Sequence, residues 1–378
     1  MTNSFEQKSF PVKELPSGDS LNLTIYRIRG AKPGPHVHIQ SSVHGAELQG
    51  NLVIMELMRY LAKNPINGSI NLIPMANPQA TNTKFGTSTQ GRFNPITGDN
   101  WNRNYTDISH DIDYDQFLDE HIELDWKELR RAFKNEIFEK CNSKLNRNED
   151  HYHVGENKKN NLVLQKIAST ADIILDLHTG PVACRYLYSA EYQKDVAKEL
   201  LSPYTLIIPN EFAGAMDEAC FTPWVKLHKH LDDRGISQKP GVFSFTVELG
   251  SEEKVSSEQA KTDCERIIHF LQTQNVLEAK QETQLKPGKW SELSHYQSYN
   301  SPVGGLFESL VLPGTEFHEG DLLAKIHKPR NIESLASVDD NVIEIKARHS
   351  GVLINHTPTA SVCEGMEIIQ ILTDLKNW

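Results

Sequence analysis

The sequence has no apolar run near the roughly 20 residues that a membrane-spanning helix requires, so no membrane partner is expected. Cysteine is sparse. The five residues (Cys141, Cys184, Cys220, Cys264 and Cys363) form no CxxC pair. An odd count at such spacing supports neither a disulfide framework nor a thiolate metal site, and reduced thiols are expected. Basic charge is also in deficit, with 39 Lys and Arg against 50 Asp and Glu and a formal charge of −11. Nucleic-acid binding leans on phosphate neutralisation by Lys and Arg, and no basic stripe interleaved with aromatics is found. A nucleic-acid partner is therefore not expected. The segment Met1 to Phe10 lacks a basic flank followed by an apolar stretch, the pattern of a signal peptide, and the cytoplasm is the expected location.

What remains is the composition of a globular protein, 38% hydrophobic and 24% charged over 378 residues, enough for one large domain and a smaller one. Apolar runs of strand length occur at residues 36–43, 69–75, 172–177, 204–209 and 242–249. Several are nearly continuous, as expected of strands covered on both faces. Helical spacing follows in Leu48, Leu52, Met55, Met58 and Ala62, in Trp126, Leu129, Phe133, Ile137, Cys141 and Leu145, and over residues 259–271. This alternation predicts an α/β domain over residues 1–285, with a mixed sheet flanked by helices. Residues of about 107–160 interrupt the rhythm and read as an insertion: one amphipathic helix, then a polar tail over 146–159. Its apolar face is suited to covering an active-site rim or a partner subunit in a homo-oligomer.

Beyond a break at residues 278–288, short strands and turns replace the helical patterns, predicting a small all-β domain over 286–378. Gly305 through Ile326 and Gly351 through Ile371 each read glycine, apolar strand, Glu-Gly turn, apolar strand. Two such halves resemble the barrel-sandwich fold of biotinyl and lipoyl domains. The joining stretch, residues 336–341, contains no lysine to carry a prosthetic group, so no carrier role is expected.

The strongest local signal is Ser42-Val43-His44-Gly45-Ala46-Glu47, where a histidine ends a strand run and a glutamate lies three residues on, in the first turn of the next helix. That spacing sets both side chains on one side of the turn. Imidazole nitrogen and carboxylate oxygen suit zinc, and a catalytic zinc typically takes three protein ligands. His178, in Ile173-Ile174-Leu175-Asp176-Leu177-His178-Thr179-Gly180, ends a second strand run and is the candidate third ligand, because sites in open α/β sheets lie at the carboxyl ends of strands. Asp176, two residues earlier on the same face, is placed to orient a metal-bound imidazole. Taken singly, His178 reads slightly better as a turn-capping residue; beside His44 and Glu47 at an equivalent strand end, the metal is favoured. His36 and His38 precede the strand end and read as a partly buried strand face, and His151 and His153 read as solvent-facing.

Glu248 interrupts an apolar strand just before glycine, which is costly if it is buried and unpaired. It is either a functional carboxylate, able to move a proton between water and a leaving nitrogen, or a salt-bridged strand end. Asn102 and Arg103 lie in the run from Asp99 to Tyr105, with Arg92 upstream. Arginine forks hold carboxylates bidentately, although a loop arginine is more often a solvated charge.

In combination, His44-Gly45-Ala46-Glu47, Asn77-Pro78 with Ala80, Asp99 through Arg103, Asp176-Leu177-His178 and Glu248-Leu249-Gly250 resemble the succinylglutamate desuccinylase and aspartoacylase family, relatives of zinc carboxypeptidases. The resemblance spans about residues 34–252. It implies a zinc carboxypeptidase-like fold and one Zn2+ per chain on His44, Glu47 and His178. It further implies Glu248 as general base, and Asn102 with Arg103 on the substrate carboxylate. Arg92 resembles the family's second arginine, at a longer spacing to Asn102. The expected substrate is a small N-acyl amino acid; a metallocarboxypeptidase acting on peptides is the alternative.

Overall fold

A computed structural model describes residues 3–89, 91–150, 155–278, 283–330 and 332–378. Its centre is a ten-stranded mixed sheet. In chain order the strands are β1 (Ser4–Glu14), β2 (Ser20–Arg29), β3 (Lys32–Ser41), β4 (Asn67–Ile73), β5 (Ile173–Gly180), β6 (Arg185–Ala190), β7 (Tyr204–Ile208), β8 (Phe243–Ser251), β9 (Lys289–Glu292) and β10 (Lys376–Asn377). Across the sheet they run β1-β2-β4-β3-β5-β8-β6-β7-β9-β10. The middle strands β4, β3, β5 and β8 are parallel, and β6 turns antiparallel to β8. The five apolar runs of the sequence overlap β3, β4, β5, β7 and β8. The strongly exposed β1, lying along one sheet edge, has no such run to announce it.

Every residue of β5 is buried, because helices cover both faces of the sheet centre. One face carries α1 (Gln49–Leu61) and α7 (Ser257–Thr273), packed on Val37, Ile39, Leu175, Leu177 and Phe245. The short α2 (Pro78–Asn82), α3 (Tyr114–His121), α4 (Trp126–Asp150), α5 (Glu156–Ala168) and α6 (Met216–Asp233) complete the fold. The second core cluster gathers Phe117, Phe133, Leu164, Ile174 and Trp224. Alternation along β5 sends Asp176 and His178 to the same side as Ile174.

The amphipathic helix expected near residue 126 is α4, and its apolar side turns inward. Phe133 meets the Trp224 ring edge-on at 4.8 Å, so that stripe belongs to the chain's own core. Of the stretch read as a polar tail, residues 146–150 continue α4, and the chain is helical again from Glu156, where α5 begins and runs across residue 160. Its buried side mixes Leu162, Leu164 and Ala168 with Asn157, Asn160, Asn161 and Gln165, and apolar periodicity does not detect those amides. His151 and His153 lie outside the described residues.

The C-terminal region is β-rich. One sheet combines Tyr296–Asn300, Glu367–Thr373, Gly351–His356 and Glu316–Phe317; the other combines Val342–Lys346, Leu322–His327, Gly305–Ser309 and Ser361–Val362. Tyr299, Phe307, Leu323, Ile326, Leu353 and Ile371 share a core there. The region is also stitched to the large sheet, for β9 and β10 form one edge of it. Gly288 makes that join feasible, since a Cβ there would meet the Pro203 carbonyl oxygen at 1.8 Å. Among the described residues no helix is long and apolar enough to cross a membrane.

Candidate metal centre

The chain turns sharply where β3 ends. Ser42 is buried with φ at 60°, a left-handed conformation costing a non-glycine residue about 1–2 kcal/mol. Its hydroxyl donates to Asn51 Oδ1 at 2.7 Å, which offsets part of that cost. Asn77 holds the turn from the other side: its amide donates to the Val43 carbonyl at 3.0 Å while its oxygen caps α2 at Ala80. The Glu47 N–H reaches the His44 carbonyl at 3.2 Å, and α1 begins only at Gln49. A tight turn before the helix, rather than the helix's first turn, therefore brings His44 and Glu47 together.

Glu47 is the hub. Its Oε1 lies 2.8 Å from His44 Nδ1, and its Oε2 lies 2.8 Å from His178 Nδ1. The Thr179 N–H also donates to Oε2 at 2.9 Å. Ligand atoms of His44, Glu47 and His178 all fall within 4.8 Å of one another, and the three are buried. Among the described residues no other group of His, Cys, Asp and Glu is so disposed.

The outer nitrogens settle whether this donor set suits a metal. His44 Nε2 lies 2.8 Å from Asn100 Oδ1, and the Asn102 backbone N–H, at 2.9 Å, identifies that atom as the oxygen. His178 Nε2 lies 2.8 Å from Asp176 Oδ2. An acceptor opposite each Nε2 suits the tautomer that carries its proton there, the one in which Nδ1, turned toward Glu47, is free to ligate a metal. Two imidazoles and a carboxylate so arranged could hold a metal ion. Burial alone would raise the Glu47 carboxyl, but the two imidazoles hold it well below the usual range. Burial disfavours a charged His178, yet Asp176 and Glu47 raise its proton affinity well above normal.

Glu248 stands directly opposite His178 in the parallel β5–β8 pair. It is buried, and its Oε2 has no hydrogen-bond partner among the described residues. Burial, reinforced by the Glu47 carboxylate, lifts its carboxyl to about 7, against the pull of His178 and Arg92. His44, His178 and Glu248 line a cavity of about 390 Å³ together with Arg92, Arg103 and Asp217. The longer spacing of Arg92 does not keep it away: Nη2 lies 3.6 Å from Glu47 Oε1 and donates to the Thr179 carbonyl at 3.3 Å. Arg103 donates one N–H to the Asn102 carbonyl at 2.7 Å, and Asn102 Nδ2 is 3.4 Å from His178 Nε2. All eight residues singled out in the sequence thus converge.

His36 and His38 stay outside the triad, as their position before the strand end suggested, although His38 is fully buried. Asn100 was missed, despite standing inside the Asp99–Arg103 run. Leu293 was also missed, and it brings the C-terminal region to the cavity wall. The loop that carries Asn100, Asn102 and Arg103 is held by the side-chain amides of α5. Asn157 donates to the Asn100 carbonyl at 3.1 Å, and Asn161 to those of Trp101 and Arg103 at 3.2 and 2.6 Å. Gln165 completes the stripe, exchanging two hydrogen bonds with the Thr106 backbone.

Comparison with known proteins agrees with this geometry. The profile of the succinylglutamate desuccinylase/aspartoacylase catalytic domain matches residues 33–273. A crystal structure from Shewanella frigidimarina NCIMB 400, provisionally described as a succinylglutamate desuccinylase/aspartoacylase, is 37% identical. It is aligned over 100% of this chain and 99% of its own, with a TM-score of 0.92. A protein provisionally placed in the same family, from Shewanella amazonensis SB2B, is 36% identical over 99% and 100%, with a TM-score of 0.91. A succinylglutamate desuccinylase/aspartoacylase from Rhodobacter sphaeroides, 16% identical over 100% and 95% with a TM-score of 0.67, shares the fold. No curated protein matches in sequence. With the profile covering more than half of its length and two full-length relatives above one-third identity, the chain belongs to the succinylglutamate desuccinylase/aspartoacylase family.

Proposed function

We propose that this protein hydrolyses the amide bond of a small N-acyl amino acid, with one Zn2+ per chain held by His44, Glu47 and His178. One observation carries the proposal: the buried triad opens on a cavity that also receives Glu248, Arg92 and Arg103. Zinc, when bound, supplies a Lewis acid that polarises a carbonyl and makes water a usable nucleophile near neutral pH. Glu248 is the general base, whose Oε2, without a hydrogen-bond partner among the described residues, takes a proton from the attacking water and returns it to the leaving nitrogen. Arg103 spends one N–H on its own loop and offers the rest of its fork to the substrate carboxylate, with Asn102 and Arg92 beside it. Asp176 holds His178 in the tautomer that leaves Nδ1 free.

The proposal extends to architecture. Residues 1–285 form a zinc carboxypeptidase-like catalytic domain with an insertion at about 107–160. Residues 286–378 form a barrel-sandwich-like domain that contributes Leu293 to the cavity. The cytoplasm is the proposed location.

A panel of N-acetyl, N-succinyl and N-formyl amino acids, run beside dipeptides on the zinc-loaded protein, tests the substrate class. Acyl-amino acids are expected to turn over faster than dipeptides. The opposite ranking makes the protein a peptidase, and cleavage of none of them ends the proposal.

A further inference from the structure

Asp176 is buried with both carboxyl oxygens committed. Oδ2 faces His178 Nε2 at 2.8 Å, while Oδ1 accepts from Gln40 Nε2 at 3.1 Å. Gln40 presents its NH2 to Asp176 and turns its oxygen the other way. That oxygen lies 2.9 Å from His38 Nε2. An amide oxygen only accepts, so His38 carries its proton on Nε2. Its Nδ1 is then a bare acceptor, and it has no partner among the described residues. Moving that proton to Nδ1 would bury an unpaired N–H and set a lone pair against the Gln40 oxygen. One orphaned acceptor is the lesser defect.

His38, Gln40 and Asp176 are fully buried, and the β3–β5 register sets Gln40 beside Asp176. Neither His38 nor Gln40 is among the residues lining the substrate cavity. We propose that Gln40 and His38 are positioning residues for the metal site: they lock the Asp176 carboxylate, and through it hold His178 with Nδ1 turned to Glu47 and the metal. The inference rests on the metal role proposed for the triad.

The test is zinc affinity, read by competition with a chromophoric chelator and independent of turnover. Wild type is compared with Gln40→Met, Asp176→Asn and the double variant. Removing an outer partner of a metal-bound histidine typically weakens binding by 10–100-fold, and Gln40→Met, one step further out, is expected at about tenfold. If Gln40 acts through Asp176, it adds no further loss in the Asp176→Asn background, whereas a merely structural role gives additive losses. Zinc binding by Gln40→Met within about twofold of wild type, or additive losses, overturns the inference. Should Gln40→Met fail to fold, nitrogen NMR of wild type labelled at histidine decides the point. An Nε2–H tautomer for His38 supports the relay, and an Nδ1–H tautomer overturns it. A wild-type protein that binds no zinc would instead sink the metal proposal itself.

Discussion

Glu248 and His178 face each other as direct partners on parallel strands, so the proposed base and a proposed metal ligand are held at one strand spacing by backbone hydrogen bonds. A parallel pair keeps its side chains in matched alternation, which puts both on the cavity side of the sheet. Loops contribute His44, Glu47, Arg92, Asn102 and Arg103, but this relationship is built into two central strands of the sheet.

The first prediction concerns Glu248. Replacing it with Gln should lower kcat by about 10²–10⁴ while zinc content stays near one per chain. Its raised carboxyl also fixes a stability sign. Native Glu248 keeps its proton to about 7, against 4.5 for an ordinary glutamate, so it favours the fold at low pH and that contribution fades as pH rises through about 7. Apo Glu248→Gln should therefore melt above apo wild type under alkaline conditions and lose that advantage in acid. Calorimetry across pH checks it.

Zinc should depend on the triad as a unit. His44→Ala and Glu47→Ala are each expected to abolish stoichiometric zinc, measured by elemental analysis of the purified protein. Asp176→Asn should retain the metal but release it about 10–100-fold more readily to a chelator.

Asn161 gives a test of the loop clamp. Asn161→Ala deprives the Trp101 and Arg103 carbonyls of a buried donor, and each stranded group costs about 1–3 kcal/mol. Because that loop carries Arg103, KM should rise by more than kcat falls. Equal effects on both would argue against Arg103 as a ground-state carboxylate binder.

His36 predicts an acid-sensitive window away from the metal. Asn71 accepts from Arg27 Nε through Oδ1 at 3.0 Å, which turns its NH2 toward His36 Nε2 at 3.2 Å. His36 Nδ1 then donates to the Ser69 hydroxyl at 2.8 Å, a pattern only the neutral ring satisfies. Burial first, then His38 and Lys134, push the ring down to about 4, with Asp172 opposing. The folded value lies below the unfolded one, so the stabilisation is complete above about 6.5 and is lost as pH falls toward about 4. Replacing His36 with Gln should reduce the pH slope of unfolding free energy by up to about one proton in that window. Denaturant titrations at stepped pH measure it.

Much of the site was legible because a charged or imidazole side chain inside an apolar run is a local signal. His44, His178 and Glu248 each announce themselves in that way. Helix α5 did not, since its buried stripe of Asn157, Asn160, Asn161 and Gln165 serves backbone hydrogen bonds, and hydrophobic periodicity counts only apolar faces. Asn100 was hidden for a related reason. Its value lies in one oxygen meeting His44 Nε2, a contact made across a fold rather than along a chain.

The sequence by itself determined which atoms are available to a metal and that they stand where strands end, because alternation and strand termination are local properties of the chain. Only the tertiary structure decided which nitrogen of each histidine faces inward and that Arg92 arrives beside Glu47. Those outcomes depend on acceptors and carboxylates delivered by neighbouring strands and loops, and their positions follow from sheet register and packing between residues far apart in sequence.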